Sequence, residues 1–330
     1  MPATATGVTV PLSTGERNGE ALARARIPHA GEYYDLLRYE VDPLGGFRLI
    51  RNQQLPHVAI NEMGYRGQSF SGLETVLLLG DSVSFGVGAS SDDARLSVFM
   101  GQALATPVAD ASVRAYRAFQ HFAQLPRLLD KLPKVRTVYL WMGYADLLYW
   151  TTTGGCIEGA FQFERKYAAD PAVTGLPFPF AGMSKMALAL INRFVYSRPE
   201  NRVREKGTIA DLVQRIALYV RGIADICSAR AIGFQVLIQP FLRSRPVDSE
   251  LREITDYYDG KTREKCGAGW YDVADSYVAL LVKNLESIPN LQVADLQSHF
   301  SENDFFDQVH LKEQALRIAA PSVVALGEGD

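Results

Sequence analysis

TVLLLGDSVSFGVGAS, residues 75–90, is the stretch that decides the fold. Residues 75–79 form a short apolar run closed by Gly80, which reads as a buried strand. A turn follows, with Gly86 and Gly88 behind it, and after a polar stretch a helix is predicted near 96–104. Ser82 therefore falls at the carboxyl end of a strand, where open α/β sheets hold their ligands. A hydroxyl there becomes a nucleophile if a base reaches it. Without one, Ser82 is an ordinary residue of a strand-to-helix turn.

Outward from this strand the chain alternates. A short strand is predicted at 108–113, then a helix with Pro126 inside it or at a break, then the apolar strand TVYLWMG at 137–143. An amphipathic helix over 209–229 feeds the strand GFQVLIQP at 233–240. Helices through ELREITDYYD (250–259) and over 271–285 precede a short strand at 293–296. Such alternation predicts an α/β fold with a mainly parallel sheet, in one doubly wound domain rather than two. Residues 1–32 are expected to be a loose N-terminal segment and 33–330 the domain, with a turn-rich lead-in over 33–72. Residues 147–199 read as an insertion rich in aromatics and glycine (Tyr149, Trp150, Phe161, Phe163, Phe178, Phe180). It would either roof a site and exclude water from it, or pack against the body of the fold.

Near the other end, NDFFDQVHLKEQALRIAA (303–320) holds Asp307 and His310, three residues apart. An aspartate at that spacing can accept from the imidazole Nδ1–H, leaving Nε2 to take a proton from a serine. The alternative is a helix-capping Asp307 with His310 packed in the first turn.

Together these two segments resemble the GDSL, or SGNH, family of hydrolases. The first block matches at Gly80, Asp81 and Ser82, with Gly86 and Gly88 behind; the last matches at Asp307, His310 and Leu311. The resemblance spans about 61–320. It implies a three-layer α/β/α fold, flavodoxin-like in arrangement. It also implies Ser82 as nucleophile, His310 as general base and Asp307 as the carboxylate that orients it. The middle blocks are weaker. In ADASVRAYRAFQ (109–120), Ala115 aligns with a family glycine whose N–H helps bind the oxyanion, and a shifted register puts Ser112 there instead. The family's third block, Gly-x-Asn-Asp, departs here to Gly143, Tyr144, Ala145 and Asp146, so Ala145 stands where an amide donor would be. Losing such a donor typically costs about 10²–10³ in kcat. Three accounts follow: another donor (Tyr144, Asn61 or Gln239) fills the gap, the substrate is an activated ester or thioester, or the protein does not catalyse. The stretch INEMGYRGQ (60–68) also resembles some bacterial members; Arg66 there either reaches a substrate anion or ties the segment to the domain.

Composition limits the partners. With 47% hydrophobic and 22% charged residues, the 330-residue chain can build a sizeable core. A net charge of −3 with no long basic run argues against nucleic acid or an anionic membrane as main partner. No apolar run reaches 18 residues, and the polar N-terminus lacks a signal core, so a cytoplasmic location is expected. Cys156, Cys227 and Cys266 are widely spaced, with no C-x-x-C and no H-E-x-x-H, so free thiols and neither metal nor cofactor are expected. The function expected is that of a serine-dependent hydrolase acting on a small-molecule acyl ester or a carrier-bound thioester. An acyltransferase, or a non-catalytic binding protein on the same fold, is the alternative. Oligomeric state is not legible.

Overall fold

The computed structural model describes residues 19–33, 36–42, 44–157 and 206–325. The chain begins with helices α1 (Gly19–Arg26) and α2 (Ala30–Tyr33) and two antiparallel hairpins, β1 (Tyr39–Asp42) with β2 (Gly46–Leu49), and β3 (Gln53–Leu55) with β4 (Val58–Ile60). Then come β5 (Val76–Gly80), α3 (Ser82–Phe85), α4 (Leu96–Leu104), β6 (Val108–Asp110), α5 (Ala118–Lys131), β7 (Thr137–Met142) and α6 (Tyr144–Thr153). Beyond 158–205 follow α7 (Ile209–Ala229), β8 (Gly233–Ile238), α8 (Ser249–Cys266), α9 (Trp270–Glu286), β9 (Gln292–Asp295) and α10 (Glu313–Ala325).

One five-stranded sheet has the order β6-β5-β7-β8-β9, and every pairing in it is parallel. Counted from β5, this is the 2-1-3-4-5 order of doubly wound folds, so the order reverses between β5 and β7. The strands are covered on both faces, as parallel sheets must be: all five residues of β5 are buried, and Leu77, Leu78 and Leu79 are fully so. Each such leucine contributes about 1.5–3 kcal/mol on burial. Helix α4 packs on α10, and α7 packs on both α5 and α9. The expected α/β class is what this sheet and its helices form.

Several boundaries differ from the sequence reading for identifiable reasons. The strand expected over 108–113 ends at Asp110, because that side chain takes the Ser112 N–H (3.0 Å) and accepts from Arg95 and Ser97. Ala111 and Val113 still donate to Leu78 and Gly80 on β5, so the chain stays beside the sheet. The strand expected over 233–240 closes at Ile238, and α5 runs unbroken through Pro126. Within the segment expected to be loose, residues 19–33 form α1 and α2: Ala23 and Ile27 are buried, and Arg26 pairs with Asp248 and Glu250 at the start of α8. Residues 1–18 lie outside the described residues, as does most of the segment read as an insertion (158–199 of it). Its first part, to Thr153, is α6.

The lead-in that reads as turns carries a second apolar cluster. Tyr33, Leu37, Tyr39, Phe47, Leu49, Val58 and Ile60 pack with Phe85 and Val87 from behind Ser82, and with Val113 and Tyr116. Arg66, 1% exposed, binds this layer to α3. It donates to the Phe85 and Gly86 carbonyls at the end of α3 (3.2 and 2.6 Å), to the His57 carbonyl (2.8 Å) and to Asp92 (2.7 Å). A cation there adds a donor to carbonyls at the helix end, of which that of Gly86 also accepts from the Ala89 N–H. Arg66 thus ties the segment to the domain. Among the described residues no helix is long and apolar enough to cross a membrane.

Candidate active site

The turn that carries Ser82 is built by local chemistry. Asp81 caps α3, its carboxylate accepting from the Val83 N–H at 3.1 Å. Gly80 leaves room for Ser84, since a Cβ there would overlap Ser84 Oγ and lie 2.9 Å from its Cβ. As the first residue of α3, Ser82 has an N–H with no acceptor inside the helix.

Asp307 and His310 sit at the tip of a tight loop. Lys312 N–H donates to the Asp304 carbonyl, Phe305 bridges Leu311, and Phe306 N–H donates to the His310 carbonyl. At the tip, Asp307 Oδ1 accepts from the N–H groups of Val309 (2.9 Å) and His310 (2.7 Å). Asp307 Oδ2 lies 2.7 Å from His310 Nδ1. A carboxylate only accepts, so the ring proton is on Nδ1. That leaves Nε2 to accept from the Ser82 hydroxyl, whose Oγ lies 3.0 Å away. Burial pushes the Asp307 carboxyl up, but the facing imidazole and these N–H donors outweigh it and hold it below the ordinary carboxylate value. Gly88 allows the two loops to meet: its φ is +89°, and a Cβ would come within 2.9 Å of the Phe306 ring.

The sheet brings the middle blocks to the same edge. Gly80 is in register with Trp141, so the turn to Ser82 and the turn at Gly143 leave the sheet at the same edge. Val113 N–H donates to the Gly80 carbonyl, which places Ala115 two residues beyond that edge. Ala115 has φ +63°, the left-handed conformation that favours glycine. The Ser112 N–H is taken by Asp110, whereas that of Ala115 has no partner among the described residues. The geometry favours Ala115 over Ser112 as the donor of this block. Ala115→Gly is expected to raise stability by about 0.5–1 kcal/mol, the relief of left-handed strain less the entropy of glycine in the unfolded chain. Urea midpoints check it; a fall in stability would mean that the methyl group packs usefully.

Gly143 (φ +128°) caps α6, and its carbonyl accepts from Tyr277 (2.9 Å). Ala145, in the first turn of α6, is buried. Of the side chains weighed as substitutes for the missing amide, Asn61 is committed to its own loop, donating to the Gln68 carbonyl and accepting from Met63 and Tyr65. The Tyr144 hydroxyl donates to Gln308 Oε1 at 3.2 Å. Gln239 follows β8, fully buried, with its amide beside the Asp81 carboxyl but at no close hydrogen-bond distance from it.

Two further carboxyls lie behind the site. Asp81 is pushed up to about 7 by burial, with Asp146 adding to the rise and the Val83 N–H, His310 and the nearby Gln239 amide opposing it. Asp146 is pushed up to about 6 by burial, against Arg117 and the Ala118 N–H. Gln308 and Tyr277 were not singled out in the sequence; each is an ordinary buried residue in its own segment, and only tertiary contacts bring them here. All three cysteines are free thiols, and burial pushes Cys227 up to about 12.

No protein-family model matches the chain, and no curated protein matches it. Among solved structures it is similar to an acetyl xylan esterase at 12% identity, covering 76% of this chain and 98% of that one with a TM-score of 0.40. It is also similar to a catalytic mutant of an acetylxylan esterase from Geobacillus stearothermophilus (10% identity, 78% and 95% coverage, TM-score 0.43). A third is an α/β hydrolase enzyme from the metagenome of Lake Arreo, Spain (10% identity, 78% and 96%, TM-score 0.40).

Proposed function

We propose that the chain is a serine-dependent hydrolase of the GDSL/SGNH kind, acting on an acyl ester or thioester. The observation that carries this reading is the series Ser82 Oγ, His310 Nε2, His310 Nδ1, Asp307 Oδ2, with contacts of 3.0 and 2.7 Å. Ser82 Oγ attacks the acyl carbonyl as its proton passes to His310 Nε2. Asp307 holds the ring and stabilises the imidazolium that forms. The N–H groups of Ser82 and Ala115 receive the oxyanion. Collapse breaks the bond to the leaving alcohol or thiol, which takes the proton from His310. Water then attacks the acyl-enzyme with His310 again as base, releasing the acid and the free Ser82 hydroxyl.

A fluorophosphonate probe tests the reading. One covalent adduct per chain at Ser82, with release of acid from p-nitrophenyl acetate, is the expected result. No adduct on the intact protein removes the enzyme reading and leaves a ligand-binding role.

The oxyanion argument gives a sharper test. Ala145→Asn is expected to raise kcat for p-nitrophenyl acetate by about tenfold or more, part of the 10²–10³ that one such donor contributes. An unchanged or lower rate in steady-state assays means that a group such as Gln239 already serves there.

A further inference from the structure

We propose that His29, Glu32 and His57 form a divalent metal site of the zinc type, pinning the N-terminal helices to the loop behind Ser82. The three side chains come from three segments: the residues between α1 and α2, helix α2, and the turn between β3 and β4. His29 Nδ1 lies 3.0 Å from Glu32 Oε1, and His57 Nε2 lies 3.1 Å from Glu32 Oε2. One ligand atom from each falls within 4.8 Å of the others. Zinc holds nitrogen and oxygen ligands at about 2.0–2.2 Å in a tetrahedron, which sets neighbouring donors roughly 3.4 Å apart, and two histidines with one glutamate are an established zinc set. The side chains are one-third to one-half exposed, so an ion and a water at the fourth position have access.

The hydrogen bonds of His57 favour a cation here. His57 Nδ1 is 3.0 Å from the Ser90 carbonyl, which can only accept, so that nitrogen carries the ring proton. In the neutral ring, Nε2 then presents a lone pair toward Glu32 Oε2, another acceptor. That contact becomes favourable when a positive charge joins the two, either a second ring proton or a bound ion. A metal ion does so with both groups in their ligand forms, and the bond to Ser90 is the outer contact that fixes the tautomer of a metal-bound histidine. The His57 backbone is held as well: its carbonyl accepts from Arg66, and its φ is +61°.

The position gives the site a role. Tyr33, next to Glu32, accepts from the Gly88 N–H, and Ser90 lies two residues further on. A metal bridging α2 and the β3–β4 turn would clamp the loop that leads from Ser82 to α4. His29 and Glu32 are three residues apart, but His57 comes from 25 residues beyond Glu32, so the sequence alone does not bring the three together.

The test is a Zn²⁺ titration of the chelator-treated full-length protein at pH 7.5, in competition with a chromophoric chelator. One Zn²⁺ per chain at micromolar Kd or tighter is expected, weakened at least about tenfold in His29→Ala, His57→Ala and Glu32→Gln. Glu32→Gln keeps the side-chain shape and covers the case in which a histidine variant fails to fold. His310→Ala should retain the binding, since it removes only the other histidine capable of holding zinc near Ser82. Absence of binding below roughly 100 µM overturns the site. So does binding that survives these variants, or that is lost with His310 alone. Stability that does not rise with added zinc also overturns it.

Discussion

Ser82→Ala is expected to lower ester turnover by about 10⁴–10⁶ in kcat and to abolish the fluorophosphonate adduct. The size follows from the proposed chemistry: without Oγ no acyl-enzyme forms, and what remains is binding and the backbone donors. His310→Ala should cost about as much, and the double variant little more, because residues that act as one unit are grossly non-additive. Stability separates this from a structural role. Oγ makes one hydrogen bond at a partly exposed position, so its removal should change the unfolding free energy by about 1 kcal/mol or less. A variant that folds alike, binds substrate and turns over no product supports the nucleophile. Turnover retained in Ser82→Ala would overturn the proposal whatever the probe shows.

Asp81→Asn is expected to stabilise the protein at pH 8 and to leave it nearly unchanged at pH 4. The Asp81 carboxyl is raised in the folded chain to about 7, mostly by burial, against about 3.9 when unfolded. Between those values the native state binds the proton and the unfolded state does not. Linkage then makes stability fall as pH rises from about 4 to about 7, after which the loss is complete. A shift of some three units corresponds to roughly 4 kcal/mol as an upper figure. Asp146, raised to about 6 by burial, contributes with the same sign over a narrower window. Asparagine still caps α3, since its side-chain oxygen can accept from Val83. Asp307 acts in the opposite sense: its carboxyl is lowered, so its contribution is present above the ordinary carboxylate value and lost as pH falls through the folded one. Urea unfolding from pH 4 to pH 8 checks the pair of curves. Parallel profiles for the two proteins would show that Asp81 is ionised throughout.

Much of the site is legible because its components are local. Asp81 caps the helix that starts at Ser82, and Asp307 reaches His310 across three residues, both within one turn of chain. The helix over 209–229 is found where its amphipathic pattern predicts it. The harder parts are those in which a polar residue has two possible partners. Ala115 and Ser112 are equivalent as letters, and the backbone separates them: Ser112 gives its N–H to Asp110, while Ala115 adopts φ +63°. Asn61, Tyr144 and Gln239 are likewise equal in the sequence, yet Asn61 is held by its own loop and Tyr144 by Gln308, while Gln239 lies beside Asp81. The lead-in over 33–72 reads as turns because its strands are three or four residues long, too short for a periodic signal.

By itself the sequence determined the alternation of strand and helix and named the serine, histidine and aspartate, since apolar runs, caps and short spacings act between neighbours in the chain. Tertiary structure alone decided that Ser82 meets His310 across 228 positions, through a strand order that reverses between β5 and β7. It also decided that Arg66 is turned inward onto the carbonyls of α3 and that His57 joins His29 on Glu32. Those outcomes depend on which surfaces pack together, and the free energy of that packing belongs to contacts between segments that no local pattern encodes.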